Sequence, residues 1–281
     1  MNVSNYLILH ESLFRLMIFI AVLTLVAIWE IISPRRKLKI SKSYRWINNL
    51  GLVFLNTILL RLIFPVAATG IAWWAVQHNF GIINYWHLSG WWVIGLSVVI
   101  LDFAIYLQHV LFHKLPWLWK LHQVHHADLD YDVTTGARFH PLEIILSMLI
   151  KFAVIITLGI PVVAIIIFEI LLNATAMFNH GNIRLPYSVD KLLRLILVTP
   201  DMHRVHHSIV NKELNSNFGF NIPWWDRLCG TYQAQPQAGH KNMIIGLNYL
   251  RDEQVTQNLA KMLCIPFKSV KAAVAQSSIK K

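Results

Sequence analysis

Cysteine and acidic residues are scarce in this chain. Two cysteines, Cys229 and Cys264, stand among 281 residues, which excludes a framework of disulfides and a cysteine-rich structural zinc site. Only 14% of the residues are charged, whereas 56% are hydrophobic, so an ordinary soluble domain is excluded and a membrane protein is expected. The sequence also has no internal repeat of fixed period, no Gly-rich dinucleotide turn, and neither of the hydrolase motifs His-Glu-x-x-His and Gly-x-Ser-x-Gly.

The few charges are strongly biased toward one sign. Lysine and arginine total 25 and aspartate and glutamate 14, which gives a net charge of +11. The basic residues lie mainly between and after the apolar segments, where they orient a protein in the membrane and contact anionic lipid. They do not form the stripe with interleaved aromatic residues that is typical of nucleic-acid binding, so no nucleic-acid partner is expected.

Three apolar segments are long enough to cross a bilayer, which takes about 20 helical residues. They cover Leu13–Ile32, Leu50–Val76 and Trp91–Leu111. The first is too long for the apolar core of a signal peptide and is expected to remain as a membrane helix. Because the loop between the first two segments carries six basic residues, we place that loop in the cytoplasm. The third helix then ends in the cytoplasm as well.

A fourth apolar segment, Leu142–Phe178, is too long for one crossing, and Gly159-Ile160-Pro161 interrupts it near the middle. His140 precedes this segment and His180 follows it. We predict a helical hairpin, because a single crossing would put His180 and the histidines after it on the opposite side of the membrane from the earlier ones.

Eight histidines form three clusters with helical spacing. The clusters are His109-x-x-x-His113, His122-x-x-His125-His126 and His203-x-x-His206-His207. Histidines at i, i+3 and i+4 share one face of a helix, and imidazole is a common ligand for iron, zinc and copper. Together with His180 and His140, the clusters offer eight to ten nitrogen ligands, too many for one ion and suitable for two. The remaining histidines, His10, His78, His87 and His240, are expected at the surface or an interface.

An all-histidine site brings no negative charge, and the second ring nitrogen of each ligand needs an acceptor. The sequence offers six acidic candidates near the clusters: Asp102, Asp128, Asp130, Asp132, Glu143 and Asp201. Spacing alone does not separate these acceptors from helix caps and solvated charges.

The order of these motifs resembles the fatty acid hydroxylase superfamily, in its sterol desaturase-like branch. The resemblance covers about residues 90–235 and rests on the three clusters and on four further segments: Thr134–Glu143, His180-Gly181-Asn182, Asn217-Phe218-Gly219 and Trp225–Tyr232. It divides the chain into N-terminal transmembrane helices (1–89), a catalytic domain (90–235) and a basic C-terminal tail (236–281). Fatty acid 2-hydroxylases of this family have a further His-x-x-x-His, but Ala176 stands four residues before His180 here.

The resemblance implies an all-α, polytopic membrane helix bundle with a cytoplasmic, histidine-rich di-metal cap. It implies an O2-dependent di-iron oxidoreductase that hydroxylates or desaturates a C–H bond of a sterol, a fatty acyl chain or an ether lipid. Two iron ions are the expected cofactor, and zinc could replace them in purified protein. The nine clustered or isolated histidines, with His140, are the expected ligands. Since no haem or flavin module is evident, a separate ferredoxin, cytochrome or reductase must supply electrons. A bacterial inner membrane is the expected location.

A different class of protein would also need clustered histidines: a membrane protein that transports or stores metal. Transport requires ligands along a path through the bilayer, whereas the clusters here are expected on one face. The aromatic pairs near residues 117–119 and 224–225 are open to two interpretations, either a route for lipid entry or the belt of tryptophans found at membrane interfaces.

Overall fold

The computed structural model describes residues 10–268, and this part of the chain is helical, with isolated β-bridges and no strand. Five segments are long and apolar enough to span a membrane. The long helices are α1 (Glu11–Ile32), α2 (Lys42–Ile63), α5 (Trp91–Lys114), α7 (Pro141–Leu158) and α8 (Val162–Asn179). The predicted all-α membrane bundle is confirmed.

The second apolar segment is not the single helix over Leu50–Val76 that its hydropathy predicts. Helix α2 ends at Ile63, and a separate helix, α3 (Ala68–Gln77), begins after Pro65. Proline lacks the N–H that a continuing helix needs, and it disfavours the helical conformation at the residue before it. A one-turn helix, α4 (Ile82–Tyr85), follows α3.

The fourth apolar segment is the predicted hairpin. Helix α7 ends at Leu158, Gly159 adopts a left-handed conformation with φ of 71°, and Pro161 precedes the first turn of α8. At the other end of the hairpin, Glu143 contacts His122 and His180 contacts His125. Both ends of the segment therefore lie beside the histidine clusters.

The apolar core of the bundle is built around small residues. Helix α3 packs against α7 and α8 through Ala68 and Ala72, which are almost fully buried together with Leu101, Ile155 and Phe168. Small side chains let the helix backbones approach closely, which is how membrane helices gain packing energy in lipid. Helix α1 packs along α8 in the same bundle.

The remaining helices form a cap over one end of the bundle. They are short: α6 (Pro116–His126), a 3₁₀ turn (Val133–Ala137), α9 (Tyr187–Leu193), α10 (Pro200–His206), α11 (Asn211–Leu214), α12 (Trp224–Leu228), α13 (Gly239–Asn242), α14 (Glu253–Thr256), α15 (Leu259–Cys264) and a final 3₁₀ turn (Ile265–Phe267). The part of the predicted basic tail that runs from 236 to 268 is folded onto this cap. Residues 269–281 of that tail lie outside the described residues.

Charged groups on the membrane helices hold the cap in place. Arg45 of α2 is fully buried and pairs with Asp128, at 2.6 Å between Nη2 and Oδ2, and with Asp132. Glu30 of α1 accepts hydrogen bonds from the backbone N–H groups of Val133 and Asn182, and both N–H groups donate to the same carboxylate oxygen, Oε1. Removing one partner of a buried ion pair costs about 3–5 kcal/mol, so these contacts fix the position of the cap on the bundle.

Asp102 of α5 makes a third connection of this kind. Its carboxylate accepts hydrogen bonds from the backbone N–H groups of Asn221 and Ile222 and from the indole N–H of Trp225. Helices before and after residue 90 thus share one core and one cap. The three-part domain division stays a prediction.

The hairpin turn supplies a test of the packing. Gly159 has a positive φ, and a Cβ there would lie 2.5 Å from Asn84 Nδ2 and 2.8 Å from Phe80 O. The Gly159→Ala variant should lose at least about 1–2 kcal/mol of stability, because the left-handed conformation alone costs that much. Thermal unfolding in detergent should show this as a lower Tm. Gly95→Ala is the matched control, since a Cβ at Gly95 of α5 meets nothing within 4 Å; equal Tm values for the two variants would contradict the described turn.

Candidate metal centre

The histidine clusters lie at the junction of the bundle and the cap. His109 and His113 are in the last turns of α5, and His122, His125 and His126 are in α6, which Pro116 starts directly after α5 ends. His180 follows the last residue of α8, and the third cluster occupies the end of α10. The helical spacing that predicts a common face is therefore present in each cluster.

Five histidines from three helices form the first group: His109, His113, His122, His126 and His206. Their candidate ligand nitrogens all lie within 4.8 Å of one another. The Nε2 atom of His126 is 3.1 Å from that of His113 and 3.2 Å from that of His122. All are buried except His113, which is partly exposed.

The second group contains four histidines, all buried: His125, His180, His203 and His207. The Nε2 atom of His180 lies 3.2 Å from that of His125 and 3.1 Å from that of His203. The two groups touch, since the rings of His126 and His207 are stacked with centroids 4.5 Å apart. The clusters thus divide into a five-histidine and a four-histidine group, and each group draws on more than one cluster.

The spacing of the nitrogens fits a shared cation. Two nitrogens that bind one ion at about 2.1 Å, at an angle of about 90–110°, lie roughly 3.0–3.4 Å apart. The Nε2 separations of 3.1–3.2 Å in both groups fall in this range. Neutral imidazoles that face one another only with acceptor nitrogens would leave buried lone pairs unsatisfied, which is costly. The residues present therefore fit two metal ions.

Hydrogen bonds on the other ring nitrogen orient several of these rings. The Nδ1–H groups of His109, His180 and His206 donate to backbone carbonyls of Phe218, Ala176 and Ser216, at 2.7–2.8 Å. His122 Nδ1 lies 2.6 Å from Glu143 Oε1. A hydrogen bond at Nδ1 fixes the tautomer and directs Nε2 into the group, as outer partners of metal ligands do.

Burial keeps the cap histidines neutral. It lowers the pKa of His122 and of His180 to about 3. Burial, with repulsion from neighbouring imidazoles, also lowers the pKa of five others well below the usual value: His125, His126, His203, His206 and His207. These rings are therefore unprotonated near neutral pH, which is the state that binds a metal.

His140 does not join either group. It is the N-cap of α7, where its Nδ1 accepts a hydrogen bond from the Leu142 N–H, and its Nε2 lies 3.3 Å from the carbonyl of Leu263. The physical reason is that Pro141 starts the helix at the next residue, so this ring serves the helix terminus. His240 also differs from expectation, because it is buried, with Nε2 3.6 Å from Asp201 Oδ2.

Of the six acidic residues expected as outer partners, Glu143 is the one bonded to a histidine of either group within the described chain. Asp128 and Asp132 pair with Arg45. Asp201 pairs with Arg35 and Arg204. Asp102, as described above, and Asp130, which accepts from the Lys39 and Ile40 N–H groups, hold backbone segments in place.

Two residues that lie in segments of the family resemblance, but that were not predicted as site residues, also shape the site. A Cβ at Gly136 would lie 2.6 Å from Ala176 O and 3.0 Å from His180 Nδ1, so glycine leaves room for the His180 hydrogen bond. Asp226 accepts hydrogen bonds from the N–H groups of Phe218 and Gly219, which positions the carbonyl that holds His109. Burial raises the pKa of Asp226 to about 6.

A cavity of about 310 Å³ adjoins both histidine groups. It contacts His109 and His122 of the first group and His125 of the second. It extends into the bundle between α7 and α8, past Phe112 and Met148. The tryptophans at 117–119 and 224–225 do not line this cavity in the described structure. Trp119 and Trp225 instead donate hydrogen bonds to Tyr249 and Asp102. The cavity thus joins the histidine groups to the interior of the bundle.

Comparison with known proteins agrees with this geometry. The family model described as fatty acid hydroxylase matches residues 92–231. An ornithine lipid hydroxylase, OlsE, of Rhizobium tropici is 26% identical over 227 residues, which are 78% of this chain and 67% of that protein. Human alkylglycerol monooxygenase is 26% identical over 180 residues, 62% of this chain and 37% of that protein.

Cholesterol 25-hydroxylase of Rattus norvegicus is 23% identical over 167 residues, 58% of this chain and 54% of that protein. The chain therefore spans little more than a third of the human relative and about half of the rat one. No solved structure matches the chain significantly. The matched region contains every histidine of both groups, and the chain belongs to the fatty acid hydroxylase family.

Proposed function

We propose that this protein is a membrane-bound, O2-dependent di-iron enzyme that hydroxylates a C–H bond of a membrane lipid. One observation carries the proposal: two adjacent groups of buried, neutral histidines face a cavity that runs into the membrane bundle. The three relatives are named as hydroxylases or monooxygenases of different lipids, which favours hydroxylation over desaturation.

The nine histidines of the two groups would hold two iron ions, five around one and four around the other. Bound iron would supply the reaction with O2 and the one-electron chemistry that an unactivated C–H bond requires. The all-imidazole ligand set is suited to iron, and also accepts zinc, which could occupy the site in purified protein. His140 is left out of this ligand set because it caps α7.

The chain's own side chains would position the substrate and exclude water. Phe139 stacks on His125, with ring centroids 4.5 Å apart and an interplanar angle of 7°, and both residues line the cavity with Phe112. These rings would hold a hydrocarbon segment against the histidine groups. Glu143, bonded to His122, would keep that ring oriented and would be the acidic group of the cavity nearest the histidine groups.

The arrangement of charges supports a cytoplasmic location for the site. The basic loop between α1 and α2 lies against the cap, where Arg35 pairs with Asp201 and Arg36 donates to the Met243 carbonyl. Since basic loops are retained in the cytoplasm, the cap and both histidine groups would be cytoplasmic. A bacterial inner membrane, and a separate ferredoxin, cytochrome or reductase as electron donor, belong to this proposal.

The alternative, a protein that transports or stores metal, is less well supported. All nine histidines lie at one end of the helices, and the described residues contain no further group of three or more candidate metal ligands toward the other end of the bundle. A transport path would need binding groups across the bilayer.

The ligand assignment predicts metal content. Protein purified without O2 and loaded with iron should contain two ions per chain. His206→Ala, from the first group, and His125→Ala, from the second, should each lower this to about one and reduce lipid oxidation by more than about a hundredfold, because even outer partners of metal ligands are worth 10–100-fold. His140→Asn should keep both ions, since asparagine also caps helices. Full metal content in His125→Ala and His206→Ala would contradict the assignment.

The reaction class can be tested directly on lipids. Iron-loaded protein in nanodiscs, given a total membrane lipid extract, a reductase system and isotopically labelled O2, should add one labelled oxygen atom to a lipid. Mass spectrometry would identify the lipid and the position. His125→Ala provides the matched background. Iron-replete protein that leaves every lipid unlabelled, while transporting metal into vesicles, would replace this proposal with the alternative.

A further inference from the structure

Three charged side chains meet at the far end of the cavity, inside the membrane bundle. Lys151 of α7 lies 2.6 Å from Glu169 of α8, between Nζ and Oε1, and Arg15 of α1 lies 2.7 Å from the other carboxylate oxygen. The side chain of Glu169 is only 4% exposed and that of Lys151 12%. Ionisable groups at this depth are costly and usually mark a functional path or binding site.

These groups line the same cavity as His109, His122 and His125. Along α7, Lys151 lies eight residues after Glu143, which contacts His122, so the separation is about 12 Å. Along α8, Glu169 lies eleven residues before His180, or about 16 Å. The cavity therefore has a metal-binding end and a charged end, a fixed distance apart.

The charged end has hydrogen-bond donors to spare. Lys151 carries three N–H donors and Arg15 five, and each gives one contact to Glu169. Asn56 and Gln108 line the cavity between the two ends. Their side-chain amide oxygens have no hydrogen-bond partner in the described chain. A ligand with oxygen at one end could accept from the spare donors, and a ligand of hydrocarbon alone could not.

The three charged residues could instead serve only to stabilise the packing of α7 against α8, but this explanation is weaker. Apolar residues of similar size would join two membrane helices without burying three charges. Between Glu143 and Lys151, the wall formed by α7 and α8 carries apolar Ile144, Met148 and Leu172, with Ser147 and Asn173 as uncharged polar residues. Lys151 and Glu169 are therefore the charged residues of this wall at the end away from His122.

We propose that Lys151, held by Glu169 and Arg15, binds the oxygen group of the lipid substrate, a hydroxyl or carboxylate at one end of the molecule. The substrate would be a lipid with one such polar end, oxidised about 12–16 Å from it, which is an extended chain of roughly ten to thirteen carbon atoms, since each C–C bond of about 1.5 Å advances a zigzag chain by about 1.3 Å. This inference rests on the proposed function, and it adds the substrate class and the position of oxidation.

Binding of simple probes tests the inference. Metal-loaded protein in detergent would be titrated with radiolabelled hexadecane, hexadecanol and hexadecanoate, which share one chain and differ at its end. The wild type should bind at least one oxygenated probe about tenfold more tightly than the alkane, the usual value of a hydrogen bond to a charged group. The alcohol and acid arms distinguish a neutral from an anionic polar end.

Three variants make the result specific. Lys151→Met should remove the preference for the oxygenated probes, and Lys151→Arg should retain it. Arg61→Met is the matched control, since Arg61 is an exposed cation of α2 outside the cavity lining, and it should bind like the wild type. An unchanged preference in Lys151→Met, an equal loss in Arg61→Met, or no preference in the wild type would overturn the inference.

Two further measurements on the same preparations separate this inference from the proposed function. Iron content should persist in Lys151→Met, whereas oxidation of the oxygenated probes should fall, and the hydroxylation that remains should be spread along the chain instead of centred roughly ten to thirteen carbons from the oxygen. A wild type that shows the binding preference but oxidises no lipid would refute the enzymatic proposal and leave the binding site standing.

Discussion

The need to satisfy buried imidazole nitrogens governs this structure. Nine histidines converge at one end of the bundle, and their Nε2 atoms approach to 3.1–3.2 Å in both groups. Because neutral rings with acceptor nitrogens turned toward each other leave buried lone pairs unsatisfied, the arrangement fits metal ions shared by the rings of each group. The helices of the bundle and of the cap bring these rings together in a mostly buried site beside the cavity.

Buried polar contacts connect the membrane helices to the cap so that the two halves of the site stay aligned. Arg45 with Asp128, Glu30 with two backbone N–H groups, and Asp102 with a backbone segment each reach from a membrane helix into the cap. In hydrocarbon or in the protein interior such groups are costly when unpaired, so each one specifies a single position for its partner. The histidine rings of α5, α6 and α10 are thereby held in register without any disulfide.

Local periodicity made much of the site predictable from sequence. Clusters at i, i+3 and i+4, an interrupted apolar segment and a pair of bracketing histidines identified the hairpin and eight of the nine converging residues directly, with His180 as the ninth. The break at Pro65 was missed, because the hydropathy of the segment is high on both sides of this residue and predicted one continuous helix. The division into five and four histidines, the choice of Glu143 over five other acids, and the meeting of Lys151 with Glu169 all depend on tertiary packing. The sequence left the role of His140 open, because Pro141 and Glu143 after it also fit the start of a helix, and the structure places His140 at the N-cap of α7.

X-ray absorption at the iron edge of the iron-loaded protein tests the central claim most directly. Two ions held by these histidines should show a first shell of nitrogen and oxygen only, with the multiple-scattering pattern of imidazole, in protein that contains two irons per chain. Sulfur in the first shell, or no imidazole pattern, in fully loaded protein would contradict it.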